Sequence, residues 1–317
     1  MADTLQTPPS APTPVEKLEA PPAAKRFAFL TDRWLAGLFI APALALLVFL
    51  SIWPLIRLVW LSFTDYSVTR DVPASFIGFD NYIDVLTSPV TQKRAVTTMI
   101  FVVGAVGLQT LLGFAIAFLI SRRIKGRGAL TTLFLIPMML SPIVVGLFWK
   151  FMLDVQFGVV NSFLNSLGFG SVEWLTRQRL ALFSLIIVDT WQWTPFIMLI
   201  ALAGLTAVPS YLYEAASIDR ASEWFRFRHI TLPLVWPLLL IAVMFRAIEA
   251  FRLFDLVYIL TQGGPGVSTE TLSFQIYKVA FLGFDTGVAS AYGILMVLVV
   301  IILAQLYLRY LDRLRGA

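Results

Sequence analysis

The chain has 317 residues, 58% hydrophobic and 14% charged, where a soluble domain has about 45–50% apolar and roughly 25% charged residues. This composition excludes a single water-soluble core and a disordered chain, and defines an integral membrane protein. With no cysteine and one histidine, His229, the chain excludes thiolate or histidine-rich metal centres and cysteine nucleophiles. The net charge of +5 fits loops that orient a bilayer protein and not a nucleic-acid partner.

Residues 1–34, rich in Pro, Ala and Thr (PPSAPTP, then PPAAKR), read as a disordered tail and not as a cleavable signal sequence. The membrane domain follows over 35–317. A bilayer-crossing helix needs about 20 mostly apolar residues. Six stretches qualify: Leu35–Leu61, Thr97–Ile120, Leu130–Met152, Ala181–Leu205, Pro233–Leu260 and Val288–Leu308. They are helix-length blocks and not the alternating strands of an outer-membrane barrel, so the expected fold is an all-α bundle of six transmembrane helices.

Six crossings place both termini on one side. That side carries Lys17, Lys25, Arg26, Arg33, the cluster Arg122, Arg123, Lys125 and Arg127, then Arg220, Arg226, Arg228, Arg309, Arg313 and Arg315. The other side has half as many: Arg70, Lys93, Arg94, Lys150, Arg177, Arg179 and Lys278. The excess of positive loops predicts cytoplasmic termini. The outer loops 63–96, 154–180 and 261–287 have room for short ordered helices, and 206–232 is the long cytoplasmic connection.

Enzyme signatures are missing. There is no G-x-x-x-x-G-K-[ST] phosphate loop, no G-x-S-x-G elbow and no H-E-x-x-H pair. The chain is expected to bind no nucleotide, metal or other cofactor itself and to catalyse no reaction.

The cytoplasmic segment Val208–Pro233 reads as two short helices. Pro209 and Ser210 start the first, which continues through Tyr211–Ala216. Asp219–Ser222 is the break, with Ser222 capping the second, and Pro233 stands where the next span begins. On physics alone the segment is either an amphipathic connector on lipid headgroups or a docking surface.

Its wording resembles the EAA loop of the permease subunits of binding-protein-dependent ABC importers. The family pattern is Glu-Ala-Ala, three residues, Gly, and then about nine residues before Ile-x-Leu-Pro. Glu214, Ala215 and Ala216 match, as do Ile230, Leu232 and Pro233. Three further stretches are similar to the carbohydrate (maltose-type) branch: WQWTPFIMLIALAGLTAVP over 191–209, FRLFDLVYILTQGGP over 251–265 and FIGFDNY over 76–82.

The resemblance implies a type I importer permease of the bacterial inner membrane, importing a sugar or sugar-like solute. It implies a second permease, most simply a different chain, two ATPase copies that use ATP and magnesium, and an external solute-binding protein. Tyr213, Glu214, Ala215, Ala216, Ile218, Asp219 and Arg220 would form the ATPase-coupling site. Arg220 departs from the pattern, because glycine reaches φ > 0 without steric cost and arginine does not. Either the turn stays right-handed or an ion pair compensates. An ion-coupled secondary transporter and a non-transporting membrane scaffold are the alternative readings.

Charges at bilayer depth cost at least about 2.5–3.5 kcal/mol each. Arg246, Glu249, Arg252 and Asp255 alternate in sign at spacing three, so Arg246–Glu249 and Arg252–Asp255 are the expected pairs. The ladder either neutralises itself between helices or lines a hydrated path. Asp189, Gln192 and Trp193 form a second polar island, with the flat faces and donors that a carbohydrate path would use. Pro195 kinks that helix, and Pro137 and Pro142 bend the third span.

Overall fold

The computed structural model describes residues 32–122 and 126–315. Residues 32–34 already belong to the first helix; the rest of the expected tail lies outside the described residues, as do Arg123 and Lys125 of the basic cluster. In chain order the helices are α1 (Asp32–Ser62), α2 (Asp80–Thr87), α3 (Pro89–Ser121), α4 (Arg127–Met139), α5 (Pro142–Met152), α6 (Val159–Ser166) and α7 (Gln178–Ala207). Then come α8 (Ser210–Ile218), α9 (Glu223–Arg226), α10 (Leu232–Phe251), α11 (Asp255–Leu260), α12 (Leu272–Tyr277) and α13 (Thr286–Arg315). A π-helical turn over Phe227–Thr231 joins α9 to α10, and another over Lys278–Leu282 extends α12.

The described residues divide into two units, the first ending at Leu55 and the second beginning at Ile56. The described part of the first is the beginning of α1, whose Leu38, Phe39, Leu47 and Leu50 side chains are exposed. The second unit is built around α3 and α7, with α10 packed on both. Lipid is as apolar as leucine, so close backbone packing, not burial from water, holds such helices together. Gly113 shows this directly: a Cβ there would lie 2.9 Å from Ile197 Cβ and 3.0 Å from the Met198 nitrogen. Phe101, Leu185, Val188, Leu256 and Val257 fill one core region, and Ile197, Met198, Leu239 and Ala242 another.

Five helices are long and apolar enough to cross a bilayer, and α4 with α5 makes a sixth if the bent pair counts as one span. The expected span Leu130–Met152 carries the bend expected from Pro137 and Pro142, and the bend is sharp: the helix breaks at Leu140–Ser141 and turns by 94°. Both residues are extended, with ψ of 143° and 138°; at Ser141 the cause is Pro142, which disfavours the α region in the residue before it. The expected span Pro233–Leu260 shifts at both ends. Helix runs from Glu223, through the π-turn that accommodates Pro233, and stops at Phe251. Thr271 Oγ1 donates to the Leu253 carbonyl at that break, 2.9 Å away, and α11 is a separate helix packed on α5.

The three loops 63–96, 154–180 and 261–287 do contain short helices, namely α2, α6 and α12. Asn161, 1% exposed, organises the α6 lobe. Its amide nitrogen donates to the carbonyls of Asp154 and Val172, while its oxygen accepts from the Val172 amide and the Trp174 indole.

Candidate functional site

The segment between α7 and α10 folds as its sequence directs. Ser222 Oγ accepts a hydrogen bond from the Phe225 amide at 3.2 Å and starts α9. At the end of α8, the Ala221 amide donates to the Ala216 carbonyl (2.8 Å) and the Arg220 amide to the Ser217 carbonyl (3.1 Å). This is the paired bonding of a Schellman stop, which requires a left-handed residue between the two. Arg220 is that residue, with φ of 53°. The turn therefore keeps the geometry that glycine would give, so the right-handed alternative is corrected. Among the described residues no carboxylate pairs with Arg220, so no ion pair compensates either.

The stop and the Tyr213 Oη–Thr231 Oγ1 hydrogen bond of 2.8 Å tie α8 to the base of the next span. Ala216 faces inward, with Leu212 and Tyr213 half-buried beside it. Tyr211, Glu214, Ala215 and Ile218 are exposed; their spacing of three and four puts them on one helix face. Ile218, at 83%, is among the most exposed large apolar side chains in the chain. Asp219 and Arg220 are exposed beside them.

The polar residues of the spans divide into two groups. Asp189 on α7, Arg246 on α10 and Gln109 on α3 are buried together. Arg246 pairs with Asp189 through Nη2 and Oδ2. Its Nε donates to Gln109 Oε1 at 2.8 Å, while Gln109 Nε2 donates to both the Asp189 carboxylate (2.8 Å) and its carbonyl (3.1 Å). The guanidinium carbon also lies 5.2 Å from the Trp193 ring centroid, a cation–π contact. Gln192 is buried nearby and donates to the Leu140 carbonyl at 3.1 Å, partnering a backbone group freed at the α4–α5 break.

Glu249, Arg252 and Asp255 are exposed instead. The expected ladder pairs are corrected: Arg246 reaches across to Asp189, and Arg252 Nη1 lies 3.7 Å from Glu249 Oε1. Asp255 misses Arg252 because the helix ends between them, and it stands in the first turn of α11, where the helix dipole favours an acid.

Two polar groups were not legible in advance. Gln109 is a neutral residue in an otherwise apolar span, and nothing local marks its partner 80 positions away. At the end of the bundle opposite α8, Glu270 is buried between two cations. Arg94 Nε donates to Oε2 at 2.6 Å and Lys278 Nζ to Oε1 at 2.7 Å, and the Leu272 amide donates to Thr98 Oγ1 at 3.0 Å. Together these bonds fasten the loop before α12 to the start of α3. The sequence signal was a charge in each of two loops, which counts toward orientation but names no pair.

A multi-pass helical membrane protein with a short surface helix between its fourth and fifth spans is the class these features define. The family profile described as "Binding-protein-dependent transport system inner membrane component" matches residues 109–316. A trehalose/maltose transport system permease of Thermococcus litoralis is 38% identical over 276 residues, 87% of this chain and 92% of the relative. A sulfoquinovosyl glycerol transport system permease of Agrobacterium fabrum is 36% identical, over 91% of this chain and 94% of the relative. The fold is similar to a chain of a bacterial ABC transporter involved in the import of the acidic polysaccharide alginate, with a TM-score of 0.79 and 22% identity, covering 90% of this chain and 97% of that one. The chain belongs to the binding-protein-dependent transport system inner membrane component family. It is a transport permease and not an enzyme.

Proposed function

We propose that this chain is one transmembrane subunit of an ATP-driven importer that moves a sugar or sugar-like solute across a bacterial inner membrane. Both termini lie in the cytoplasm in this reading. A second, different permease completes the pathway, two ATPase copies bind ATP and magnesium, and an external binding protein delivers the solute. The exposed face of α8 carries the proposal: Tyr211, Glu214, Ala215 and Ile218 form a partly apolar surface on a helix braced by its own stop and by Tyr213. Ala215 admits close helix approach, Ile218 and Tyr211 supply apolar contact, and Glu214 and Asp219 meet basic groups of the ATPase. Closure of the ATPase dimer pushes α8, and α8 moves the base of α10.

Solute passes the side of α10 and α11 that carries Glu249, Arg252 and Asp255. Their exposure supports this, since charged groups in a span face water or protein and not lipid. Asp189, Arg246, Gln192 and Trp193 stand behind that surface and position the helices. Cargo of the sugar class is supported by the names of the relatives, which transport trehalose, maltose or sulfoquinovosyl glycerol.

The test is uptake by vesicles holding this permease, its partner permease, the ATPase and the binding protein, with labelled sugars offered outside. Accumulation should require ATP and the binding protein and survive collapse of the proton and sodium gradients. Uptake that persists after ATP depletion and vanishes with either gradient would overturn the proposal.

A further inference from the structure

Two cavities meet at the end of the bundle that carries α8. One is polar: Arg122, just beyond the end of α3, and Arg226 of α9 line it with the hydroxyls of Ser121, Thr206, Tyr213 and Thr231. The other is an apolar groove along Phe114, Ala115, Phe118, Trp224 and Phe227. They share Phe118, Arg122, Glu223 and Phe227 as a common wall. The groove is a packed aromatic surface, with ring centroids 5.4 Å apart for Phe118–Phe227, 5.5 Å for Trp224–Phe227 and 6.1 Å for Phe114–Phe227.

The hydroxyls are bonded within the protein, and the terminal nitrogens of the two arginines are the donors open to a ligand. Glu223 approaches Arg122 at 3.8 Å and Arg226 at 3.6 Å, both beyond hydrogen-bond range. Arg226 uses its Nε on the Ala221 carbonyl at 3.1 Å, and Arg122 rests 5.0 Å from the Phe118 ring centroid. Two guanidinium groups against one carboxylate leave the mouth positive. Its depth is also set: Arg122 directly follows a 33-residue apolar helix, so the mouth lies at the membrane–water boundary and the groove extends into the hydrocarbon. A charged mouth opening onto an apolar channel at that depth has the shape of an amphiphile.

We propose that this double cavity is a phospholipid site, with an anionic headgroup phosphate on Arg122 and Arg226 and an acyl chain along Phe114, Phe118 and Phe227. Arginine suits phosphate because its fork donates two parallel bonds, and basic pockets between helices at a membrane face select anionic headgroups. Tyr213, Glu223 and Arg226 belong to the connection that holds α8, so the lipid braces that connection against the end of α3. The site depends on the chain being a membrane protein and not on which cargo it carries.

The experiment uses the native assembly in nanodiscs containing brominated phosphatidylglycerol or brominated phosphatidylcholine. The fluorescence of Trp224 is isolated by subtracting the Trp224→Phe variant. Phosphatidylglycerol should quench Trp224 at lower mole fraction than phosphatidylcholine. The preference should fall about fivefold for each of Arg122→Gln and Arg226→Gln, the worth of one basic residue near an anionic surface. Arg122→Lys, which keeps the charge, should retain most of it. Equal quenching by the two lipids, no quenching by either, or an undiminished preference in the double Gln variant would overturn the proposal. Relief of quenching by inorganic phosphate would assign the mouth to a soluble anion and overturn it too.

Discussion

The buried Asp189–Arg246 pair makes a demanding prediction, because its two halves fail differently when separated. Arg246→Met leaves the Asp189 carboxylate with Gln109 as its side-chain donor, and Asp189→Asn leaves a guanidinium buried with Gln109 and the Trp193 face. Breaking a buried pair by removing one partner costs about 3–5 kcal/mol, whereas replacing both by apolar groups is often neutral. A carboxyl has a neutral form to retreat to and a guanidinium has none. Asp189→Asn is therefore expected to be the more damaging single change. The double variant Asp189→Asn/Arg246→Met keeps the Gln109 donation to the Asp189 backbone carbonyl and leaves a neutral amide, not a buried charge, beside Gln109. An orphaned neutral group costs about 1–3 kcal/mol and an orphaned charge more, so the double variant should be more stable than Asp189→Asn alone. Titration with a denaturing detergent, followed by tryptophan fluorescence, measures all four proteins of the cycle. Singles within about 1 kcal/mol of the parent, with a double variant equal to their sum, would show that the pair contributes no coupling and refute this reasoning.

Three further outcomes are expected. Arg220→Gly removes a side chain from a left-handed position and should slow hydrogen exchange at the end of α8 by about 1 kcal/mol of opening free energy, while Arg220→Val should speed it; the same response to both would mean that φ at this residue is unimportant. Glu270→Gln leaves Arg94 and Lys278 without their carboxylate. Exchange of the amides over 262–272 should then accelerate by about 3 kcal/mol of opening free energy, and unchanged protection would show that the loop is held by other bonds. Asn161→Leu strips two carbonyls and two donors of their partner, and limited proteolysis should then cut near Gly168–Gly170 while the spans stay intact. Cleavage no faster than in the parent would contradict the role given to Asn161.

What the sequence disclosed followed the range of the forces involved. Spans, the Ser222 cap and the two-helix form of the coupling segment depend on residues within a turn or two of each other, so hydropathy and capping rules reach them. The bend at Leu140–Ser141 was visible only as two prolines; its sharpness depends on the local effect of Pro142 and on Gln192 arriving from α7 to donate to the freed Leu140 carbonyl. The charge ladder misled because helical spacing names neighbours on one helix, while Arg246 found Asp189 57 positions away and α10 ended before Asp255. Gln109 and the Arg94–Glu270–Lys278 cluster were hidden for the same reason, since a pair across helices leaves no mark in either segment alone. At Arg220 the opposite held: backbone hydrogen bonding imposed the left-handed turn on a residue type that disfavours it.

The central claim is that a hydrolysing partner drives this permease through the exposed face of α8. The natural chain has no cysteine, so Ala215→Cys and Ile218→Cys supply unique thiols on that face, and Phe163→Cys on α6 supplies one at the opposite end. Crosslinking to the ATPase subunit in the assembled transporter should succeed at both α8 positions, change in yield when nucleotide is added, and fail at position 163. Full ATP-dependent uptake with no crosslink to the ATPase from either α8 position would contradict the account.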